Sequence, residues 1–176
     1  MAVSVRDRAR KIRLLLLDVD GVQTDRGIYL AADGAPMRRF DIRDGTGITV
    51  ALDAGIKVAF LSGKGSPSIG SRAEELGVED VYENLESKMA AYEELKAKHG
   101  LADEEIAYLA DDLIDLPVLR RVGLPMAVAD AAAEVLAEAA RVTFRPGGHG
   151  AVREAIEFIL HAQGKWDATL KSRYVL

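Results

Sequence analysis

Short apolar runs alternate with amphipathic stretches along most of the chain. Ile12 to Leu17, Ile56 to Leu61, Asp80 to Tyr82, Ile106 to Ala110, Met126 to Val128 and Val142 to Phe144 have the length and composition of strands. Helical patterns fall between them. Ser66 followed by Pro67 sets an N-cap with proline at the first helical position, and Gly77 closes that helix. The stretch from Glu86 to His99 is amphipathic and stops at Gly100. Asp115 and Pro117 mark the start of another helix, Asp130 is placed to cap the alanine-rich one after it, and Gly150 to Gln163 forms the last. Strands alternating with helices predict an α/β fold, a Rossmann-like parallel sheet with helices on both faces. One section breaks the rhythm. Between Gly27 and Asp41, two strands around Asp33-Gly34 predict a small β-hairpin inserted after the first strand. The tail from about 164 to 176 is polar and irregular, and reads as disordered or docked on a neighbour. No repeat or internal linker divides the chain, so residues 1–176 read as a single domain.

Composition narrows the choice of partners. A chain of 176 residues fits one sizeable core, and 49% hydrophobic with 29% charged residues is an ordinary globular balance. The net charge of −5 opposes a nucleic-acid partner, because a phosphate backbone would be repelled. There is no cysteine, which excludes disulfides and thiolate metal sites. The apolar run Leu14 to Leu17 is too short for a signal peptide or a membrane span, so no membrane is expected and the expected location is cytoplasmic. Arg6, Arg8, Arg10, Lys11 and Arg13 read as a solvated arm leading into the first strand.

Candidate chemistry lies at the predicted strand ends, where open parallel sheets bind ligands. The first strand ends in Asp18-Val19-Asp20-Gly21, a middle one in Ser62-Gly63, and a later one in Asp111-Asp112 with Asp115 just after. Carboxylates a few ångströms apart repel by ~4 kcal/mol at an intermediate dielectric, so such a cluster calls for a cation. Oxygen-only ligands select a hard ion, and Mg²⁺ suits a site that also takes a phosphate. In the Asp-x-Asp spacing, one carboxylate can attack phosphorus. The other, past the strand, can reach the leaving oxygen and exchange protons with it and with water. Ser62, the N–H of Gly63 and Lys88 can bind phosphoryl oxygens, where the charge of phosphoryl transfer collects. Lys88 opens a helix, against the helix dipole, and that placement favours a functional role.

Taken together, Asp18-Val19-Asp20-Gly21-Val22-Gln23-Thr24, Ser62-Gly63, Lys88 and Asp111-Asp112 with Asp115 resemble, in order, the four motifs of the haloacid dehalogenase superfamily of phosphatases. The resemblance implies that Asp18 is the nucleophile and Asp20 the general acid/base. It also implies that Asp18, the carbonyl of Asp20 and Asp111 bind Mg²⁺, with Asp112 and Asp115 supporting that set. Phe40 to Ile48, Leu109 to Val118, Val122 to Leu124, Ala127 to Ala131 and Gly147 to Glu154 further resemble the 3-deoxy-D-manno-octulosonate 8-phosphate (KDO 8-phosphate) phosphatases. This likeness spans about Ile12 to Lys165. It implies a phosphatase without a cap domain that makes a lipopolysaccharide precursor. It also implies a homotetramer in which a hairpin, and in one reading the C-terminal tail, reaches a neighbour's site. The insertion is indeed too short to form a lid of its own, and an isolated hairpin is marginal in water.

Lys64 stands where these phosphatases usually carry arginine, and a point-charge ammonium is not equivalent to a guanidinium fork toward a carboxylate. Lys64, Arg72 and Arg43 are the candidate contacts to the sugar acid, with a Lys64–Glu75 pairing or a loop-locking role for Arg43 through Asp44 as alternatives. Two other functions stay open. One is a phosphatase of a related nonulosonate, such as KDN or sialic acid 9-phosphate. The other is a non-catalytic oligomerisation module of the same fold, which would be expected to lose a motif, and none is lost here.

Overall fold

The structure, a computed structural model, describes residues 3–175. Six parallel strands form one sheet in the order β5-β4-β1-β6-β7-β8, where β1 is Leu14–Asp18, β4 Lys57–Leu61, β5 Asp80–Tyr82, β6 Ile106–Ala110, β7 Leu124–Ala127 and β8 Arg141–Val142. β1 lies at the centre, and every one of its residues is buried. Its run of four leucines reads apolar at every position because a central parallel strand is covered on both faces. Each buried leucine contributes roughly 1.5–3 kcal/mol. Helices α2 (Ile42–Asp53) and α7 (Ala151–Ala162) pack on each other, and α1 (Val5–Arg10) and α8 (Trp166–Tyr174) pack on α7. Helices α4 (Lys88–His99), α5 (Leu116–Leu119) and α6 (Ala133–Glu138) form a second group. Helix α3 (Pro67–Leu76) follows β4 and ends at Gly77, whose φ of 75° only glycine adopts freely.

The expected strands are all present; Asp80–Tyr82 and Ile106–Ala110 keep their expected bounds, and the ends of the others shift by at most two residues. At the sheet edge, Phe144 lies outside β8 and is 90% exposed. The hairpin forms as β2 (Tyr29–Leu30) paired antiparallel with β3 (Pro36–Met37), and Gly34 takes a positive φ in its turn. Three expectations need correction. The basic N-terminal stretch keeps Arg6, Arg10, Lys11 and Arg13 exposed, as a solvated arm would, but it is a packed helix over Val5–Arg10. Ala9 is buried beneath it, while Lys11 and Arg13 pair with Glu104 and Glu105 at 3.0 Å. The tail is also a helix, α8, anchored by the buried Trp166 whose ring lies under the Arg153 guanidinium. Leu176 lies outside the described residues. Finally, Asp130 does not cap α6. Its carboxylate accepts instead from Gly147 N–H and from Arg26.

Candidate active site

β4, β1 and β6 are adjacent, so their carboxyl ends bring Ser62, Asp18 and Asp111 to one edge of the sheet. After β1 the chain turns sharply. The Val19 carbonyl accepts from the N–H groups of Val22, Gln23 and Thr24, and Gly21 sits at φ 99°. A Cβ at Gly21 would collide with the Asp111 carboxylate, so glycine is required by space as well as by conformation. The Gln23 amide donates to the Asp18 carbonyl at 3.2 Å, fixing the strand end from behind. Gly147 abuts the Gly21 carbonyl, and Gly148 N–H donates to Val22 at 2.9 Å, which ties the loop before α7 to the same turn.

Lys88 is the electrostatic centre. It is 1% exposed, and its Nζ donates to Asp18, to Asp115 Oδ1 at 2.6 Å and to the Tyr108 hydroxyl at 3.1 Å. Ser87 caps α4 by accepting from Met89 N–H, leaving the lysine to extend under the sheet edge. Burial opposes the charge on Lys88, but Asp18 and Asp115 beside it hold the ammonium above its ordinary range. Burial pushes the Asp18 carboxyl well above the usual carboxylate range. Lys88 pulls it back, and Asp115 and Asp111 add to the rise. Burial likewise raises Asp111, against the hydrogen bond from Arg26.

Three buried carboxylates share this edge, and Asp18, Asp111 and Asp115 each offer an oxygen within 4.8 Å of the others. Their hydrogen bonds separate their roles. Asp115 accepts from Lys88, from Tyr108 at 2.5 Å and from the N–H groups of Asp111 and Asp112 at 3.3 and 3.2 Å, so its oxygens are filled. Asp111 Oδ1 is buried with no hydrogen-bond partner among the described residues. An orphaned buried oxygen beside a second carboxylate is costly without a cation. Asp18 and Asp111 therefore fit a hard divalent ion. The Asp20 side chain is taken by Arg38, whose guanidinium donates to both its oxygens at 2.7 and 3.0 Å, so only the main-chain carbonyl of Asp20 is left to offer such an ion.

Asp18, Asp20, Lys88 and Asp111 line a cleft of about 350 Å³ with Ser62, Gly63, Lys64, Asp112, Arg26, Ile28 and Ile114. The Ser62 hydroxyl donates to the Lys64 carbonyl at 2.6 Å, which curls the loop after β4. Lys64 is exposed at the mouth and has no ion pair with Glu75; that glutamate pairs with Arg72 at 2.8 Å. Arg72 and Arg43 lie outside the cleft. Arg72 also donates to the Asp41 carbonyl and stacks over Phe40. Arg43 lines a separate depression with Arg145 and Arg153. The loop-locking role at this point belongs to Asp44, which accepts from Gly150 and Arg153 N–H. Three residues escaped the sequence reading: Arg38, Arg26 and Tyr108. The first two act across long sequence separations, and Tyr108 looks like an ordinary core aromatic in a buried strand.

No family model matches the chain. It is 42% identical to the 3-deoxy-D-manno-octulosonate 8-phosphate phosphatase of Salmonella typhi over 95% of this chain and 89% of that protein. A structure from Legionella pneumophila, described as a haloacid dehalogenase superfamily (subfamily III A) hydrolase, superimposes with a TM-score of 0.95 at 38% identity. That match covers 98% of this chain and 94% of the other. The 3-deoxy-D-manno-octulosonate 8-phosphate phosphatase of Moraxella catarrhalis, solved with magnesium, phosphate and KDO, superimposes with a TM-score of 0.92 at 33% identity, covering 96% of this chain and 97% of that one.

Proposed function

The chain belongs to the 3-deoxy-D-manno-octulosonate 8-phosphate phosphatase family of the haloacid dehalogenase superfamily, and from that membership we propose that it hydrolyses KDO 8-phosphate to KDO and phosphate. The observation that carries the reading is Lys88, buried between Asp18 and Asp115 beside the orphaned oxygen of Asp111. In this mechanism a carboxylate oxygen of Asp18 attacks phosphorus. The bond from phosphorus to the sugar oxygen breaks, and Asp20 gives that oxygen a proton. Asp20 then takes a proton from water as the water attacks the phospho-aspartate, which releases phosphate and restores Asp18. Asp20 is held by both oxygens on Arg38, so each proton transfer requires one of those two hydrogen bonds to open.

The Gly63 N–H supplies a donor for the equatorial oxygens, joined by the Ser62 hydroxyl once it turns from the Lys64 carbonyl and by Lys88 once it releases one of its three present acceptors. Asp115, itself saturated, fixes Lys88, and Asp112 supports the loop by accepting from Leu113 N–H. Mg²⁺, held by Asp18, the Asp20 carbonyl and Asp111, supplies positive charge at the phosphoryl oxygens when bound. Lys64, at the mouth of the cleft, contacts the substrate carboxylate in this reading.

The same reading makes the protein a single-domain cytoplasmic homotetramer acting on a lipopolysaccharide precursor, with no nucleic-acid or membrane partner. The hairpin supports the assembly: Ile28, Tyr29, Leu30 and Met37 are each about half exposed or more, an apolar strip that a neighbouring protomer would cover. A panel of sugar-acid phosphates compared by kcat/KM tests the substrate. Clear preference for KDO 8-phosphate is expected. Preference for nine-carbon analogues, or a flat profile, would overturn the assignment.

A further inference from the structure

Arg26 stands at φ 65°, a left-handed conformation that a residue with a side chain adopts at a cost of about 1–2 kcal/mol. The side chain reaches back over the turn after β1 and joins two other loops. Its Nε donates to Asp111 Oδ2 at 2.8 Å, one terminal nitrogen to Asp130 Oδ2 at 3.0 Å, and the other to the Asp130 carbonyl at 2.6 Å. Asp111 is thereby divided. Oδ2 is covered by a guanidinium, while Oδ1 is buried with no partner among the described residues. Gly21 packs against the same carboxylate on one side, so closely that a Cβ there would collide with Oδ2.

We infer that Arg26 restricts Asp111 to one-oxygen ligation and so makes the site select Mg²⁺ over Ca²⁺. The inference rests on the reading that Asp18 and Asp111 hold the cation. Mg²⁺ demands a compact octahedral shell, whereas Ca²⁺ takes more oxygens and often grips a carboxylate by both. The positive charge of Arg26 weakens binding of either divalent ion alike. Covering Oδ2 penalises only the ion that would use it, so the ratio of the two affinities isolates the geometric effect from the charge.

Calorimetric titration of the full chain with Mg²⁺ and with Ca²⁺, without substrate, tests this. Arg26→Gly suits the positive φ and removes the fork. The ratio Kd(Ca²⁺)/Kd(Mg²⁺) is expected to fall about tenfold or more, the usual scale for a group that orients a metal ligand. Asp130→Asn, which loosens the same guanidinium from its anchor, moves the ratio in the same direction by less. Equal tightening of both ions in Arg26→Gly, with the ratio unchanged, overturns the inference while leaving the cation site intact. Absence of Mg²⁺ binding by the unmodified protein overturns the cation reading and this inference together.

Discussion

The acidic edge of the sheet and the hairpin adjoin the same cleft but are built in opposite ways. At the edge, Lys88, Tyr108 and Asp115 are almost fully buried, and each satisfies the next by hydrogen bonds within the chain. In the hairpin, two-residue strands pair only with each other, and Leu30 is 68% exposed. Its one deep anchor is Arg38, where the returning strand meets Asp20 and the Ser66 hydroxyl. Under the proposed function, one protomer holds the reacting groups, whereas the apolar strip of the hairpin is left for a neighbour to cover. Chemistry and assembly are separable, and substitutions can address them one at a time.

After loss of the nucleophile itself, the largest expected effect on that comparison comes from Asp20→Asn, which removes proton transfer and should lower kcat by about 10²–10⁴-fold with sedimentation unchanged. Unaltered turnover would deny Asp20 its role. Asp115→Ala leaves Lys88 buried with one anion fewer and should cost about 3 kcal/mol of stability, read from the urea midpoint. A midpoint equal to that of the unmodified protein would mean the edge is not held as a unit. Leu30→Asp should do the reverse: it weakens association by about 1–2 kcal/mol per contact and leaves protomer stability alone. Sedimentation of the unmodified protein as a monomer would break the comparison outright.

A further effect falls outside both regions, where α2 meets the start of α7 and burial raises the Asp44 carboxyl from 3.8 to about 6. A raised carboxyl pKa adds stability that is full below 3.8 and is lost as pH rises through about 6. The unmodified protein should therefore lose stability across that window relative to Asp44→Asn, and parallel urea midpoints would contradict the shift.

The site was legible in the sequence because its main residues end apolar strands. Asp18, Ser62 and Asp111 each follow a run that must be buried, and a parallel sheet aligns such ends. Lys88 was legible for a different reason, as a cation opening a helix. The rest depends on partners far along the chain. Arg38 meets Asp20 and Arg26 meets Asp111 across 18 and 85 positions, and no local pattern marks either pair. Helices α1 and α8 were missed because each buries a single residue, Ala9 and Trp166, so neither shows an apolar stripe. Arg72 and Arg43 read as substrate contacts because they flank the motifs; in one protomer they stand beside Glu75 and Arg153, outside the cleft, a placement that local sequence does not mark.

The central claim is that Asp18 carries the phosphoryl group. Quenching turnover of KDO 8-phosphate with acid, reducing with borohydride and sequencing the peptide by mass spectrometry tests it directly. The account predicts homoserine at position 18 in the unmodified protein and none in Asp18→Asn, which should fold normally and lose roughly 10⁴-fold or more in kcat. Steady phosphate release by Asp18→Asn at a comparable rate would contradict it.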